Sequence, residues 1–244
     1  LKVTPEILVE LNQLVARLNA NEPLAYLLEK QEFYGRQFEV NSSTLIPRNE
    51  TEELVDKALQ VLKSAPKPLR VLELATGSGC IAITLLAEAS GQISQLDAID
   101  ISDSALEVAR RNSEKLLSTS VASKLNIQQG DILNDEFTQS YDMIIANPPY
   151  IRDSEYASLP DSVKEYEPKL ALLSGESGLE FYQRIAVTAA SNLNEGGYLL
   201  LEIDSRRANA TKEIVTAILE KRIKQLDVIQ DLNARDRILF IQLR

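Results

Sequence analysis

From Pro68 onward the chain alternates apolar runs with helical stretches, and this rhythm constrains the fold more than any single residue does. Leu69–Ala75 is a continuous apolar run interrupted by one acid, Glu73. It leads through Thr76-Gly77-Ser78-Gly79 into an apolar helix over Cys80–Ala89. Leu96–Asp100 predicts a second strand, with a helix from about Asp103 to Leu117 after it. Further strands are predicted at Leu125–Asp131, Tyr141–Ala146 and Tyr198–Ile203, with helices over Leu179–Leu193 and Ala208–Lys221. Strand-like runs around Val228 and over Arg237–Leu243 close the chain. Strands that are apolar throughout and separated by helices predict an α/β fold, a parallel sheet covered on both faces.

Before Pro68 the pattern differs. Ile7, Leu8, Leu11, Leu14, Val15 and Leu18 recur at helical spacing between about Thr4 and Lys30, and Asn21-Glu22-Pro23 breaks the run. Glu32–Leu45 reads as a hairpin or extended linker, Asn49–Lys63 as a helix, and Pro66-Lys67-Pro68 as a boundary. The chain starts at Leu1 without an initiator Met, as expected of a piece of a longer protein. Leu1–Glu10 lacks the basic start and apolar block of a signal peptide, and no stretch approaches the ~20 apolar residues of a membrane span. A cytoplasmic monomer away from membranes is expected.

Composition narrows the chemistry. There are no histidines and one cysteine, Cys80, among 244 residues. Triads that use an imidazole base are therefore excluded, a disulfide framework is excluded, and no metal site is expected. The formal charge of −10 argues against stable nucleic-acid binding, which rests on clustered Lys and Arg.

In an open parallel sheet, ligands bind beyond the carboxyl ends of the strands. Glu73 with the glycine turn, Asp100, Asp131 and Asn147 all fall at such ends. The turn Ala75-Thr76-Gly77-Ser78-Gly79 would let backbone approach a ligand, or would simply join strand to helix. Asp100 suits a ribose diol or a helix cap, and Asp131 an adenine amine or a turn cap. No Lys follows the glycine turn, so the ligand indicated is an adenosine without a polyphosphate. Asn147-Pro148-Pro149-Tyr150 is the sharpest signal. Two prolines end the strand and remove two N–H donors. The Asn147 side-chain oxygen and the Pro148 carbonyl can then accept both hydrogens of a planar NH2 group, and Tyr150 offers a flat face to stack on it.

These residues together resemble the class I S-adenosylmethionine-dependent methyltransferases that act on planar nitrogen. Glu22-Pro23-Leu24-Ala25-Tyr26-Leu27-Leu28, Glu32-Phe33-Tyr34-Gly35, Leu45-Ile46-Pro47-Arg48-Asn49-Glu50-Thr51-Glu52, Tyr166-Glu167-Pro168 and Asp236-Arg237 are similar to segments of the release factor glutamine methyltransferases (the HemK/PrmC family). The resemblance implies a Rossmann-like, seven-stranded mixed sheet with flanking helices. It divides the chain into a partial N-terminal helical substrate-recognition domain (1–31), a hairpin or linker (32–48) and a catalytic domain (49–244). It implies S-adenosyl-L-methionine as cofactor, leaving as S-adenosyl-L-homocysteine. The cofactor residues it implies are Glu73, Ala75, Thr76, Gly77, Ser78, Gly79, Asp100, Ile101, Asp131, Ile132 and Asn147. The substrate residues are Asn147, Pro148, Pro149 and Tyr150, of which Asn147, Pro148 and Tyr150 are the catalytic ones. The implied substrate is the glutamine of the Gly-Gly-Gln motif in class 1 peptide chain release factors, methylated on its amide nitrogen N5.

The chain departs from the family's pattern at several positions. Ala75 and Ala234 stand where glycine is usual, Glu73 where Asp is common, Asn49 where proline is usual, and Asp204 where a glycine is usual. A positive φ at Asp204 would strain its turn. Three other readings use the same residues: a ribosomal-protein glutamine N5-methyltransferase, an adenine N6-methyltransferase acting on a flipped base, and an inactive cofactor-binding scaffold.

Overall fold

The computed structural model describes residues 4–244. The first three residues of the expected N-terminal domain lie outside it. Helix α1 (Pro5–Asn19) starts on Thr4, whose hydroxyl accepts from the Ile7 N–H at 3.5 Å. None of its residues is buried, so the apolar positions of its amphipathic pattern face solvent. The short α2 (Leu24–Leu27) follows Pro23 and buries Ala25 and Tyr26. Strands β1 (Lys30–Phe33) and β2 (Arg36–Glu39) form the expected hairpin, and Phe33 and Phe38 pack edge to face within the main core. Helix α3 (Asn49–Ser64) buries Leu54, Val55, Ala58, Leu59 and Leu62 on the face read from the sequence.

The remainder is the predicted α/β unit. Its elements are β3 (Leu69–Leu74), α4 (Cys80–Ala89), β4 (Ile93–Asp100), α5 (Asp103–Leu116), α6 (Thr119–Ala122), β5 (Leu125–Gln129) and β6 (Tyr141–Ala146). They continue through α7 (Asp161–Lys164), α8 (Glu180–Asn192), β7 (Leu193–Glu202), α9 (Ala208–Leu219), β8 (Ile223–Gln230) and β9 (Asp236–Leu243). The seven strands form one mixed sheet in the order β5-β4-β3-β6-β7-β9-β8. Strands β3 to β7 are parallel, and β9 runs antiparallel between β7 and β8. One apolar cluster joins α3 and α4 to a sheet face; the other joins α8 and α9 to the opposite face. Truncating one of these buried leucines or isoleucines typically costs about 2–5 kcal/mol.

Two strands begin earlier than hydrophobicity alone indicates. Strand β4 includes the polar pair Ser94-Gln95, and β7 includes Asn194-Glu195-Gly196-Gly197, which break the apolar pattern. Each early segment pairs through a register shift. Strand β5 stops at Gln129 because the chain then turns: the Gly130 N–H donates to the Asp100 carbonyl at 3.0 Å. The irregular stretch between β6 and α8 contains α7 and an isolated bridge between Ile151 and Leu173.

The departure residues divide into strained and unstrained ones. Asp204 has φ −70°, so the strain expected for a positive φ is absent. Its side chain accepts from the Arg206 N–H and pairs with Arg206 and Arg207. Ala234, in the turn between β8 and β9, has φ +57°. That left-handed conformation crowds a Cβ but not a glycine. Ala234→Gly is therefore expected to stabilise the fold by about 1 kcal/mol, read as a raised urea midpoint at constant slope. An unchanged midpoint would show that the turn carries no strain.

Candidate functional site

The order of the strands places the site. Strand β3 lies between β4 and β6, and the connections leave it toward opposite edges of the sheet, so a crevice opens above the carboxyl ends of these strands. A cavity of about 360 Å³ occupies this crevice. Ala75, Gly77, Asp100, Ile101, Asp131, Ile132, Asn147 and Pro149 from the sequence reading all line it. Glu73, Thr76, Ser78, Gly79, Pro148 and Tyr150 are not part of that lining.

The glycine turn is built on alternate left-handed residues. Ala75, Gly77 and Gly79 have φ of +60°, +55° and +79°. A Cβ at Gly79 would lie 2.9 Å from Ile83 Cδ1 and 3.2 Å from Ala109 Cβ, so a side chain there would also crowd α4 and α5. Ala75 takes the same conformation with a methyl group that borders the cavity. Glu73 braces the turn from inside: its Oε2 accepts from the Thr76 hydroxyl at 2.7 Å and from the Ala82 N–H at 3.1 Å. Ser78 offers its carbonyl to Asn112 rather than to the cavity.

Asp100 faces the turn across the crevice. One oxygen accepts from the Gly77 N–H at 2.8 Å and the other from the Ser102 N–H at 3.0 Å. Burial raises its pKa, and these N–H donors oppose the rise. Ser102, and not Asp100, caps α5, since its hydroxyl accepts from the Ala105 N–H. Asp131 spends its carboxylate on its own turn, accepting from the Leu133 N–H at 2.8 Å and from the Asn134 amide at 2.7 Å. The Asn134 bond is the main reason its pKa is lowered. Ile101 and Leu133 stand exposed at the cavity wall, with Ile132 buried between them and the core.

Asn147 follows β6. Its Nδ2 donates to Thr51 Oγ1 at 3.1 Å, and Thr51 in turn donates to Glu202 Oε2 at 2.7 Å. Among the described residues, no donor bonds to Asn147 Oδ1 or to the Pro148 carbonyl. Burial pushes the Tyr150 phenol up to about 12 and Glu202 up to about 7. Burial likewise pushes the Cys80 thiol up to about 12, which favours the protonated thiol over the thiolate.

Two segments roof the cavity. Ser42–Leu45, between β2 and α3, form one edge, and Pro168, Leu170 and Ala171 form another. Glu167 joins them: it accepts from the Ile46 N–H at 3.2 Å and pairs with the Arg48 guanidinium. The Tyr26 hydroxyl donates to the Thr44 carbonyl at 2.6 Å, and the Tyr166 hydroxyl to the Ala20 carbonyl at 2.8 Å. The N-terminal and post-strand segments singled out in the sequence are therefore partners in space. Sequence reasoning missed Ser42–Leu45, Leu170 and Phe181 as lining, and Glu202 as a partner. Glu202 ends an apolar strand as Glu73 and Asp100 do, and that was the available signal.

The lining suits a nucleoside-sized molecule with an apolar flat part and a diol. Its sides are Ile101, Ile132 and Leu133, with an acceptor at Asp100. Among the described residues no Lys or Arg lines it, which does not suit a polyphosphate. The profile of the methyltransferase small domain family matches residues 51–160. The release factor glutamine methyltransferase of Nitratidesulfovibrio vulgaris is 38% identical over 245 residues, spanning 98% of this chain and 80% of that protein. That of Bacteroides thetaiotaomicron is 37% identical, spanning 94% and 79%. Among solved structures, a release factor-specific protein-(glutamine-N5) methyltransferase from Alicyclobacillus acidocaldarius aligns with TM-score 0.50 and 26% identity, over 85% of this chain and 99% of that one. A methyltransferase from Pyrococcus furiosus aligns with TM-score 0.57 at 20% identity, over 94% and 96%, a likeness of fold alone.

Two outcomes are expected. Ala75→Gly should tighten binding of S-adenosylhomocysteine several-fold by calorimetry; unchanged affinity would show that the methyl group does not hinder the ligand. The second concerns Glu73, whose carboxyl burial pushes up to about 8. A carboxyl raised by folding contributes stability below the ordinary carboxylate range and loses it as pH rises through the folded value. Between pH 5 and 8.5 the parent chain should lose on the order of 2 kcal/mol that Glu73→Gln keeps. Parallel pH profiles of unfolding free energy for the two chains would contradict this.

Proposed function

Because the chain belongs to the release factor glutamine methyltransferase family, we propose that it methylates the side-chain amide nitrogen of the glutamine in the Gly-Gly-Gln motif of class 1 release factors. S-Adenosylmethionine, when bound, supplies a methyl group activated by its sulfonium. Every other part of the reaction falls to the chain's own residues. Asp100 would hold the ribose diol, with its geometry preset by the Gly77 and Ser102 N–H groups. Ile101, Ile132 and Leu133 would flank the adenine. The chain would work where its substrate is met, in the cytoplasm where proteins are made.

The observation that carries the reading is the state of Asn147. Its Nδ2 is bonded to Thr51, so its Oδ1 stays available, and the Pro148 carbonyl that follows it in the chain has no donor among the described residues. An amide nitrogen is a poor nucleophile because its lone pair is shared with the carbonyl. Two fixed acceptors on its hydrogens orient the nitrogen and stabilise the positive charge that grows as that sharing is lost. Tyr150, a neutral phenol near neutral pH, would supply a packing face. No residue is needed to remove a proton first, which suits a chain without histidine. The departing proton can leave to water after transfer. No step calls for a base with a pKa near neutrality.

The same acceptor pair would serve an exocyclic adenine amine. The net charge of −10 favours a basic protein domain over a polyanion. The test is mass spectrometry of the Gly-Gly-Gln peptide after incubation of a release factor, the cofactor and this chain, with DNA and a ribosomal-protein mixture as comparison acceptors. A 14-dalton gain on the glutamine is expected, and transfer only to DNA would refute the assignment. Asn147→Ala should lower turnover on the order of 10²- to 10³-fold while cofactor affinity stays within a few fold. Equal loss of both would make Asn147 a cofactor ligand.

A further inference from the structure

We propose that Thr51 and Glu202 are a positioning pair that fixes which way round the Asn147 amide faces. The proposal rests on the reading of Asn147 as the acceptor for the substrate amide. A primary amide fills its space equally well in two orientations related by a half-turn. One presents oxygen to the cavity, and the other presents NH2. Only the first can accept hydrogens from a glutamine amide; the second opposes donor to donor. Shape cannot choose between them, so hydrogen bonding must.

The choice is made in three steps that run backward from Glu202. An ionised carboxylate only accepts. The Thr51 hydroxyl, 2.7 Å from Glu202 Oε2, has one hydrogen and commits it there. What remains toward Asn147 is a lone pair, and the group found 3.1 Å away is the NH2. Thr51 is 2% exposed and Glu202 3%, so water cannot substitute for either.

The fold supplies this geometry from two directions. Leu201 pairs with Ala146 across β6 and β7, which sets Glu202 beside Asn147 at the rim. Thr51 lies in the first turn of α3, where two neighbouring acids anchor the helix. Glu52 accepts from the Tyr34 N–H at 2.7 Å, and Glu53 from the Leu232 N–H at 3.2 Å. Burial acts most strongly on Glu202 and raises its pKa to about 7, with Glu50 acting in the same direction; the Thr51 hydrogen bond, Arg237 and Arg48 favour the ionised form, which predominates at pH 8.

The test compares Thr51→Ser, which keeps the hydroxyl, with Thr51→Val, which keeps the shape and removes it. Both are assayed at pH 8 with S-adenosylmethionine and a release factor. Thr51→Ser should keep kcat within about threefold. Thr51→Val should lower kcat on the order of 10²-fold, as expected for a misoriented reacting group. KM for the release factor and Kd for the cofactor should stay within about threefold of the parent values. A Thr51→Val kcat within threefold of the parent, or a loss expressed equally in KM, would overturn the proposal. Should that variant not fold, Glu202→Gln replaces it. Glutamine can donate as well as accept, so orientation becomes mixed and kcat falls several-fold, and an unchanged kcat would overturn the proposal.

A second measurement does not depend on turnover. In protein labelled with 15N-asparagine, the Asn147 NH2 protons should exchange slowly with water in the parent and in Thr51→Ser, and rapidly in Thr51→Val. Equal exchange in all three overturns the pairing. Protected protons in a parent chain that leaves release factor unmethylated would support the pair and refute the substrate assignment instead.

Discussion

Strand β3 is hydrogen-bonded on both sides to parallel neighbours, β4 and β6, and the rest of the molecule is arranged around that fact. Parallel pairing forces each connection to cross a face of the sheet, and all three strands then end on the same rim. The chain leaves β3 toward one edge and returns to β6 on the other side. No helix can cover the gap between the two directions. The crevice is a result of topology, and the side chains that end these strands share it. Glu73 turns inward to brace the glycine turn, Asp100 reaches across to the turn's Gly77 N–H, and Asn147 stands at the third strand end.

The rim is furnished with backbone and amide groups rather than with groups that titrate freely. The carboxyl groups that meet it are already bonded to N–H or hydroxyl donors, and burial favours the protonated form of the only thiol. The roof follows the same economy. A single buried glutamate, Glu167, holds the linker before α3 by a backbone N–H and an arginine. Ala75 is the one place where the turn's conformation and its residue type disagree, and it borders the ligand space. By contrast Asp204, also unusual in sequence, is accommodated by an ordinary backbone and two arginines.

Periodicity carried most of the fold. Helix α4 and strand β6 have the bounds read from their apolar runs, because both are largely buried, α4 begins after Gly79 and β6 runs out at Asn147-Pro148. The reading fell short where pairing overrides polarity, at Ser94-Gln95 and at Asn194–Gly197, since a strand edge can carry polar residues once its neighbour supplies hydrogen bonds. Within the site, the strand-end residues were legible because position along a parallel strand fixes which rim they reach. The roof was not. Its contacts join Ile46 and Arg48 to Glu167, residues more than a hundred positions apart, and no local pattern encodes such a meeting. The orientation of Asn147 was hidden for the same reason, since it is decided by Thr51 and Glu202.

The hydroxyl-to-carboxylate bond between Thr51 and Glu202 spans 151 positions of the chain. During synthesis, β3, β4, the glycine turn and Asn147 all leave the ribosome before β7 exists. A nascent chain can thus shape much of the crevice while Asn147 still lacks the partner that directs its amide. Closing so long a loop comes late in folding, because its entropy must be met before its contacts form. On the role proposed for Asn147, recognition of a planar amide would be complete only once β7 pairs with β6 and brings Glu202 to Thr51.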